Sequence, residues 1–230
     1  MRSLAQRASE DEQMDAPDLP AETYRHVLND LASVNRLTMG ARPTLNFIGR
    51  ALRGRKQFRL LDVGFGQGDM LRAIARWSAK RAIAADLVGI DLNPNSESVA
   101  RAATDRDLPI RYLTGDYRDH ADGFDFIISS LVAHHMPANE LEHFLGFMER
   151  NARLGWIVND LHRHRIAYMG FPLIARLMGW HRIVREDGQL SIARSFRPAE
   201  WQSYLKQASI GPEAKVVRRL PYRLCVERIR

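Results

Sequence analysis

Only one cysteine, Cys225, occurs in the 230 residues, which excludes a disulfide within the chain and fits a reducing compartment. No apolar run approaches the roughly 18 residues of a membrane-spanning helix. The opening MRSLAQRASEDEQMDAPD likewise contains no apolar run of signal-peptide length. A cytoplasmic protein without a transmembrane segment is therefore expected. Metal-ligand spacing is missing too: no H-x-x-x-H pair or compact carboxylate cluster stands out, so no metal is expected. Aromatic residues are scarce where positive charge is dense. RALRGRKQFR, RHR at 163–165 and VVRRL carry no regularly interleaved stacking side chains. The net charge of +7 thus reads first as a basic, solvated surface with no stable nucleic-acid partner.

What is present is core material. Apolar residues make up 45% of the chain, enough for one large domain. Residues 1–20 are polar and acid-rich, and a disordered or loosely docked tail is expected there. A single domain then spans 21–230. Within 21–53, Tyr24, Val27, Leu28, Leu31 and Val34, followed by Leu45, Ile48 and Leu52, recur at helical spacing. Gly40 and Pro43 divide them into two helices.

From FRLLDVG onward, short apolar runs alternate with helical patterns: LVGIDL, PIRYLTGD, GFDFIISS and RLGWIVNDL are the strands. Continuous apolar strands separated by helices predict a parallel sheet covered on both faces. The alternation breaks at 163–194, where IAYMGFPLIARLMGW is apolar nearly all round, and an inserted helical cap is expected. EAKVVRRLPYRLCVERI closes the chain as two strands about Leu220 and Pro221.

The stretch LLDVGFGQGD lays three glycines, Gly64, Gly66 and Gly68, directly after the first strand, with Asp62 before them. In a doubly wound sheet this is where ligands bind. Glycines admit positive φ and let a ligand touch backbone, and the following helix adds amides. Asp62 would repel a pyrophosphate but suits a ligand bearing an ammonium group. Asp91, 23 residues past Gly68 at the end of the second strand, can hold two ribose hydroxyls. Asp116, in LTGDYRD after the third strand, can accept from an adenine amino group, and the Tyr117 amide can serve the ring. Asp62, Asp91 and Asp116 also suit plain capping or turn roles.

LLDVGFGQGD, VGIDLNP, TGDYRD and FDFIISSLVAHHMP, in this order and spacing over about residues 58–160, resemble the class I S-adenosylmethionine-dependent methyltransferases. The resemblance implies a Rossmann-like α/β fold, a doubly wound seven-stranded sheet, mostly parallel with one antiparallel strand. It implies S-adenosylmethionine as cofactor, with Asp62, Gly64, Phe65, Gly66 and Gly68 near its methionyl part. Asp91 and Leu92 fall at the ribose, Asp116 and Tyr117 near adenine, and Ser130 at the tip of the fourth strand beside the same site.

For the acceptor, SSLVAHHMP lacks the Asn/Asp-Pro-Pro-aromatic tetrad of enzymes that methylate exocyclic amines. A histidine of ordinary basicity can take a hydroxyl proton, and adjacent His134 and His135 are candidates, with a slight preference for His135. Asp160, after the fifth strand, is a candidate base or base-orienting carboxylate. Tyr168, Phe171 and Trp180 of the cap suit an aromatic or apolar acceptor. Segments flanking the sheet resemble bacterial small-molecule methyltransferases, some associated with polyketide or quinone pathways. O-methylation of a small hydroxylated metabolite is the leading expectation, with C-methylation next. An RNA or protein methyltransferase using the basic surface, or a cofactor-binding protein without transfer, are the competing readings.

Overall fold

The computed structural model describes residues 3–120 and 123–230. Seven strands form one sheet: β1 (Gln57–Val63), β2 (Ala84–Asp91), β3 (Ile110–Thr114), β4 (Phe126–Ser130), β5 (Gly155–Leu161), β6 (Lys215–Arg219) and β7 (Arg223–Ile229). Their order is β3-β2-β1-β4-β5-β7-β6, parallel except for β7, which runs antiparallel to both neighbours. The doubly wound, mostly parallel sheet expected from the alternating pattern is thus the observed one.

Strand periodicity explains why both faces need cover. Leu60, Phe126, Ile128 and Ile157 point to one face, against α2 (Arg42–Ala51) and α3 (Asp69–Ala79). Leu61, Ile127, Trp156 and Val158 point to the other, against α5 (Ala138–Asn151) and α8 (Pro198–Gln207). Each such aliphatic or aromatic side chain contributes about 1.5–3 kcal/mol when fully buried. Local signals set the helix ends. Asn93 accepts from the Asn95 amide and Pro94 opens α4 (Pro94–Ala102), while Glu200 reaches the Arg197 amide at the start of α8.

The 163–194 segment folds as a helix pair, α6 (Arg165–Leu177) and α7 (Arg182–Arg194), with His164 and His181 accepting from the amides of Ile166 and Ile183. Pro172 lies inside α6 and has no amide to give the Tyr168 carbonyl. Gln189 of α7 donates Nε2–H to that carbonyl at 3.0 Å, so the kinked helix is secured by its neighbour. α1 (Ala21–Leu37) bridges the two halves of this roof: Tyr24 and Leu28 pack with Val99 of α4, and Val27 packs with Ala175, Ile183 and Val184.

The segment 1–20, expected to be disordered or loosely docked, lies as a strap against the domain over its described part, from residue 3; residues 1 and 2 lie outside the described residues. Leu4 is buried, and its carbonyl accepts from Arg163 and Arg197. The Ala8 amide donates to the Ala193 carbonyl, and the Gln13 and Met14 amides donate to Asp187. The Arg7 guanidinium lies 4.1 Å from the Phe196 ring centre. Glu12 and Asp15 of the strap have partners, Ser191 and His135, which composition alone does not reveal.

Candidate active site

The tips of β1, β2, β4 and β5, roofed by α1, α6 and α7, surround a mainly apolar cavity of about 630 Å³. All three glycines of the β1 loop have positive φ, +75°, +52° and +78° for Gly64, Gly66 and Gly68. They serve different ends. A Cβ on Gly64 would collide with Val132, and one on Gly68 with Tyr112. A Cβ on Gly66 meets nothing nearer than Leu28 Cδ2 at 3.6 Å. Gly66 is therefore the position where bare backbone faces open space, whereas Gly68 serves close packing and lies outside the cavity lining.

Three acids gather around this loop. Asp91 accepts from the Gly66 amide and from the Asn93 amide, both at 2.9 Å. Burial raises its carboxyl above the usual range, and the two amides partly offset that. Asp69 lines the cavity and accepts from Asn35 Nδ2 at 3.1 Å; burial raises its carboxyl also. Asp62 is fully buried, and its Oδ1 has no hydrogen-bond partner. Burial, then repulsion from Asp69 and Asp91, pushes its carboxyl well above the usual range. Asp62 lies behind the cavity lining, while Asp69 and Asp91 belong to it, and a cationic ligand end beside those two would offset the cost of ionising them. Leu92, Gly115, Tyr117 and Ser130 line the same cavity.

Asp116 is not among the lining residues. Its side chain caps a 3₁₀ turn at Tyr117–Asp119, accepting from the Arg118 amide, and pairs with the Arg118 guanidinium. That bond and charge hold its carboxyl below the usual range. The side chain expected at an adenine is engaged in the local turn, and Gly115 and Tyr117 on either side of it line the cavity.

A second polar group faces the cavity. The His134 Nδ1–H donates to Asp160 Oδ1 at 2.7 Å, and the His134 amide donates to Asp160 Oδ2 at 3.0 Å. Burial would raise the Asp160 carboxyl, but the charge and hydrogen bond of His134 and the Leu161 amide hold it below the usual range. An ionised Asp160 favours, for the neutral imidazole, the tautomer of His134 that carries its proton on Nδ1. The Nε2 of His134 is buried and has no hydrogen-bond partner. Asp160 itself is buried behind the imidazole, outside the lining.

His135 lies beside it, ring centres 4.3 Å apart, and its Nδ1–H donates to Asp15 Oδ2 at 2.7 Å. Burial lowers the basicity of His135, but Asp15 and Glu12 raise it more. Glu12, buried on the strap, sits 3.6 Å from His134 Nε2 and 3.8 Å from His135 Nε2, and accepts from Ser191 Oγ at 2.9 Å. Burial raises the Glu12 carboxyl, partly countered by the two histidines. Ligand atoms of Glu12, His134 and His135 lie within 4.8 Å of one another, a spacing that a divalent cation could bridge. Sequence spacing could not show this group, because Glu12 is remote in the chain.

Of the cap aromatics, Phe171 lines the cavity. Trp180 is buried behind it, ring centres 6.3 Å apart, and Tyr168 turns to another side. Neither lines the cavity: Tyr168 lies on another arc of α6, and Trp180 sits in the turn between α6 and α7.

A reversed seventh strand in this strand order, a glycine loop at the tip of β1 and an acid at the tip of β2 define the class I methyltransferase architecture. Residues 60–155 match the family model described as a methyltransferase domain, and the fold is that of the class I S-adenosylmethionine-dependent methyltransferases. No curated protein sequence matches it. Among solved structures it is similar to human N-acetylserotonin methyltransferase in complex with S-adenosylmethionine, at 12% identity and a TM-score of 0.64. That match covers 92% of this chain and 56% of that one. It is also similar to a plantazolicin methyltransferase with a triazolic substrate analog and S-adenosylhomocysteine, at 16% identity and TM-score 0.61, covering 91% and 96%. Magnesium protoporphyrin IX methyltransferase from Synechocystis PCC 6803 matches at 16% identity and TM-score 0.56, covering 84% of each chain. At these identities the likeness is one of fold.

The residues fit the cofactor: an open backbone turn at Gly66, an unpartnered buried oxygen on Asp62, and Asp91 fixed at the rim. Asp91→Ala is expected to weaken S-adenosylhomocysteine binding by about 1–3 kcal/mol, the usual range for hydrogen bonds to a charged group. Titration calorimetry reads this directly, and an unchanged affinity would remove Asp91 from the site.

Proposed function

We propose that this chain methylates a hydroxyl group of a small, apolar or aromatic metabolite, with His134 as general base and Asp160 as the carboxylate that orients it. The observation that carries this reading is that His134, anchored on Asp160, lines the same mainly apolar cavity as Gly66 and Asp91, with an Nε2 that makes no hydrogen bond and lies 3.6 Å from Glu12. S-adenosylmethionine, when bound, supplies an electrophilic methyl carbon for in-line displacement by the acceptor oxygen.

The chain's own residues supply the rest. Asp160, fixed by two backbone amides, holds the imidazole ring and its tautomer. The Nε2 lone pair takes the hydroxyl proton as the oxygen attacks, and the imidazolium so formed lies between Asp160 and Glu12. His134 is favoured over His135 because the Nδ1 of His134 is bound to a fully buried, ionised acid. His135 instead pairs with a partly exposed acid on the strap. Phe171, Val132 and Met136 give the acceptor an apolar surface. The structural relatives are methyltransferases of N-acetylserotonin, plantazolicin and magnesium protoporphyrin IX, in support of a small-molecule or peptide acceptor rather than RNA. A divalent cation held by Glu12, His134 and His135 is the second reading, favoured by the spacing of their ligand atoms.

The test is incubation with methyl-labelled S-adenosylmethionine and, in parallel, a panel of phenols, total RNA and a protein extract, each with and without a chelator, followed by mass spectrometry. Label on a phenolic oxygen in both arms supports the base reading. Activity lost on chelation and restored by a divalent metal supports the cation reading. Label found only on RNA or protein overturns the small-molecule assignment.

A further inference from the structure

The outward side of α6 is built the wrong way round for a helix in water. Met169, Leu173 and Leu177 follow one another at i, i+4, i+8, and Leu173 and Leu177 are 70% and 86% exposed. A helix covering a domain ordinarily turns charged side chains to solvent. Here the only charges on α6 are Arg165 and Arg176, which the helical period places along one border of the apolar stripe. Neither forms an ion pair among the described residues.

The opposite border of the stripe runs into the cavity: Ile166 and Ile174 are 62% and 48% exposed and also line it. The surroundings of the mouth repeat the composition. Exposed Leu37 and Met39 follow the cavity-lining end of α1, and exposed Leu220 precedes Pro221 and Tyr222, which line the cavity from the β6–β7 hairpin. No acid occurs between Leu161 and Arg185, a stretch that holds five arginines and three histidines counting Arg185.

We propose that this face of α6 docks on an anionic lipid bilayer, bringing the mouth of the cavity to the membrane surface. An exposed apolar stripe with an arginine border is the pattern of an interfacial helix, whose apolar side chains enter the acyl boundary while its cations meet lipid phosphates. A two-fold contact with a second copy of the chain fits less well. It would bring Arg165 and Arg176 towards their own counterparts, with no acid on the helix to answer them. The surface stands apart from the base assignment, so it can succeed or fail on its own. Taken with the proposed function, it identifies the acceptor as a lipophilic one that enters the cavity from the bilayer.

The test is co-sedimentation of the full chain with vesicles of equal parts phosphatidylcholine and phosphatidylglycerol, and with vesicles of phosphatidylcholine alone. Binding to the anionic vesicles is expected to exceed binding to neutral ones by at least ~10-fold. It should fall steeply when salt shortens the screening length to about 3 Å. Leu173→Asp combined with Leu177→Asp should lower binding at least ~10-fold with no change in melting temperature, because both side chains are already in solvent. Arg165→Glu with Arg176→Glu should do the same. Absence of binding by the unaltered chain would overturn the proposal. So would binding that both double variants retain, or a stable dimer that Leu173→Asp with Leu177→Asp converts to monomer.

Discussion

Gly66→Val is expected to lower S-adenosylhomocysteine affinity by at least ~100-fold while the chain stays folded. The reason is steric and local. The Cβ direction at Gly66 is open, with Leu28 Cδ2 the nearest atom at 3.6 Å, so a branched side chain would stand in the cavity where the ligand must lie. Placing valine at φ +52° adds strain of about 1–2 kcal/mol. At the size of this chain that corresponds to a loss of roughly 2–8 °C in melting temperature, well short of unfolding a domain with this core. Gly68→Val is the informative contrast. Its Cβ would strike the buried Tyr112 ring, so it should show chiefly as lost stability. Melting curves and calorimetry on both variants separate a ligand-facing glycine from a packing one. Equal affinity losses with equal melting shifts would contradict the distinction.

His134→Ala is expected to lower turnover by about 10²–10⁴-fold with cofactor affinity little changed, the range for removing a positioned general base. The imidazole lines the cavity but makes no bond to the glycine loop or to Asp91. Asp160→Asn should also lower turnover, because an amide nitrogen facing Nδ1 would favour the tautomer that puts the proton on Nε2. The carboxylate also accepts two backbone amides, so a melting curve on the same variant separates catalytic from structural loss. His135→Ala should cost less turnover than His134→Ala. The opposite order would return the base role to His135 and its partner Asp15.

The parts of the fold that can be read from the chain are those whose causes are local. Continuous apolar runs such as FIISS and WIV are buried on both faces and can only be central parallel strands, and they are. The glycine loop and Asp91 stand out by residue type and spacing, and Gly64, Gly66 and Asp91 line one cavity. Asp116 shows the reverse: a short polar side chain beside an arginine can satisfy itself within two residues, and here it does.

Glu12 and Asp15 were illegible for a different reason. Their partners Ser191 and His135 lie 179 and 120 residues away, and an acid-rich segment looks the same whether it is solvated or docked. The docking partners could have been suspected only from Leu4, Met14 and Leu19, apolar residues stranded in a polar stretch. The placement of Tyr168 and Phe171 depended on which arc of α6 faces inward, and that arc is set by packing against α7 and α1, not by the composition of α6.

A crystal structure of the chain with S-adenosylhomocysteine tests the central claim most directly. The account predicts the ligand backbone against Gly64–Gly66, a ribose hydroxyl on Asp91, the amino group on the Asp62 and Asp69 side, and the sulfur facing His134. Ligand bound elsewhere, or a glycine loop left untouched in a crystal saturated with it, would contradict the account.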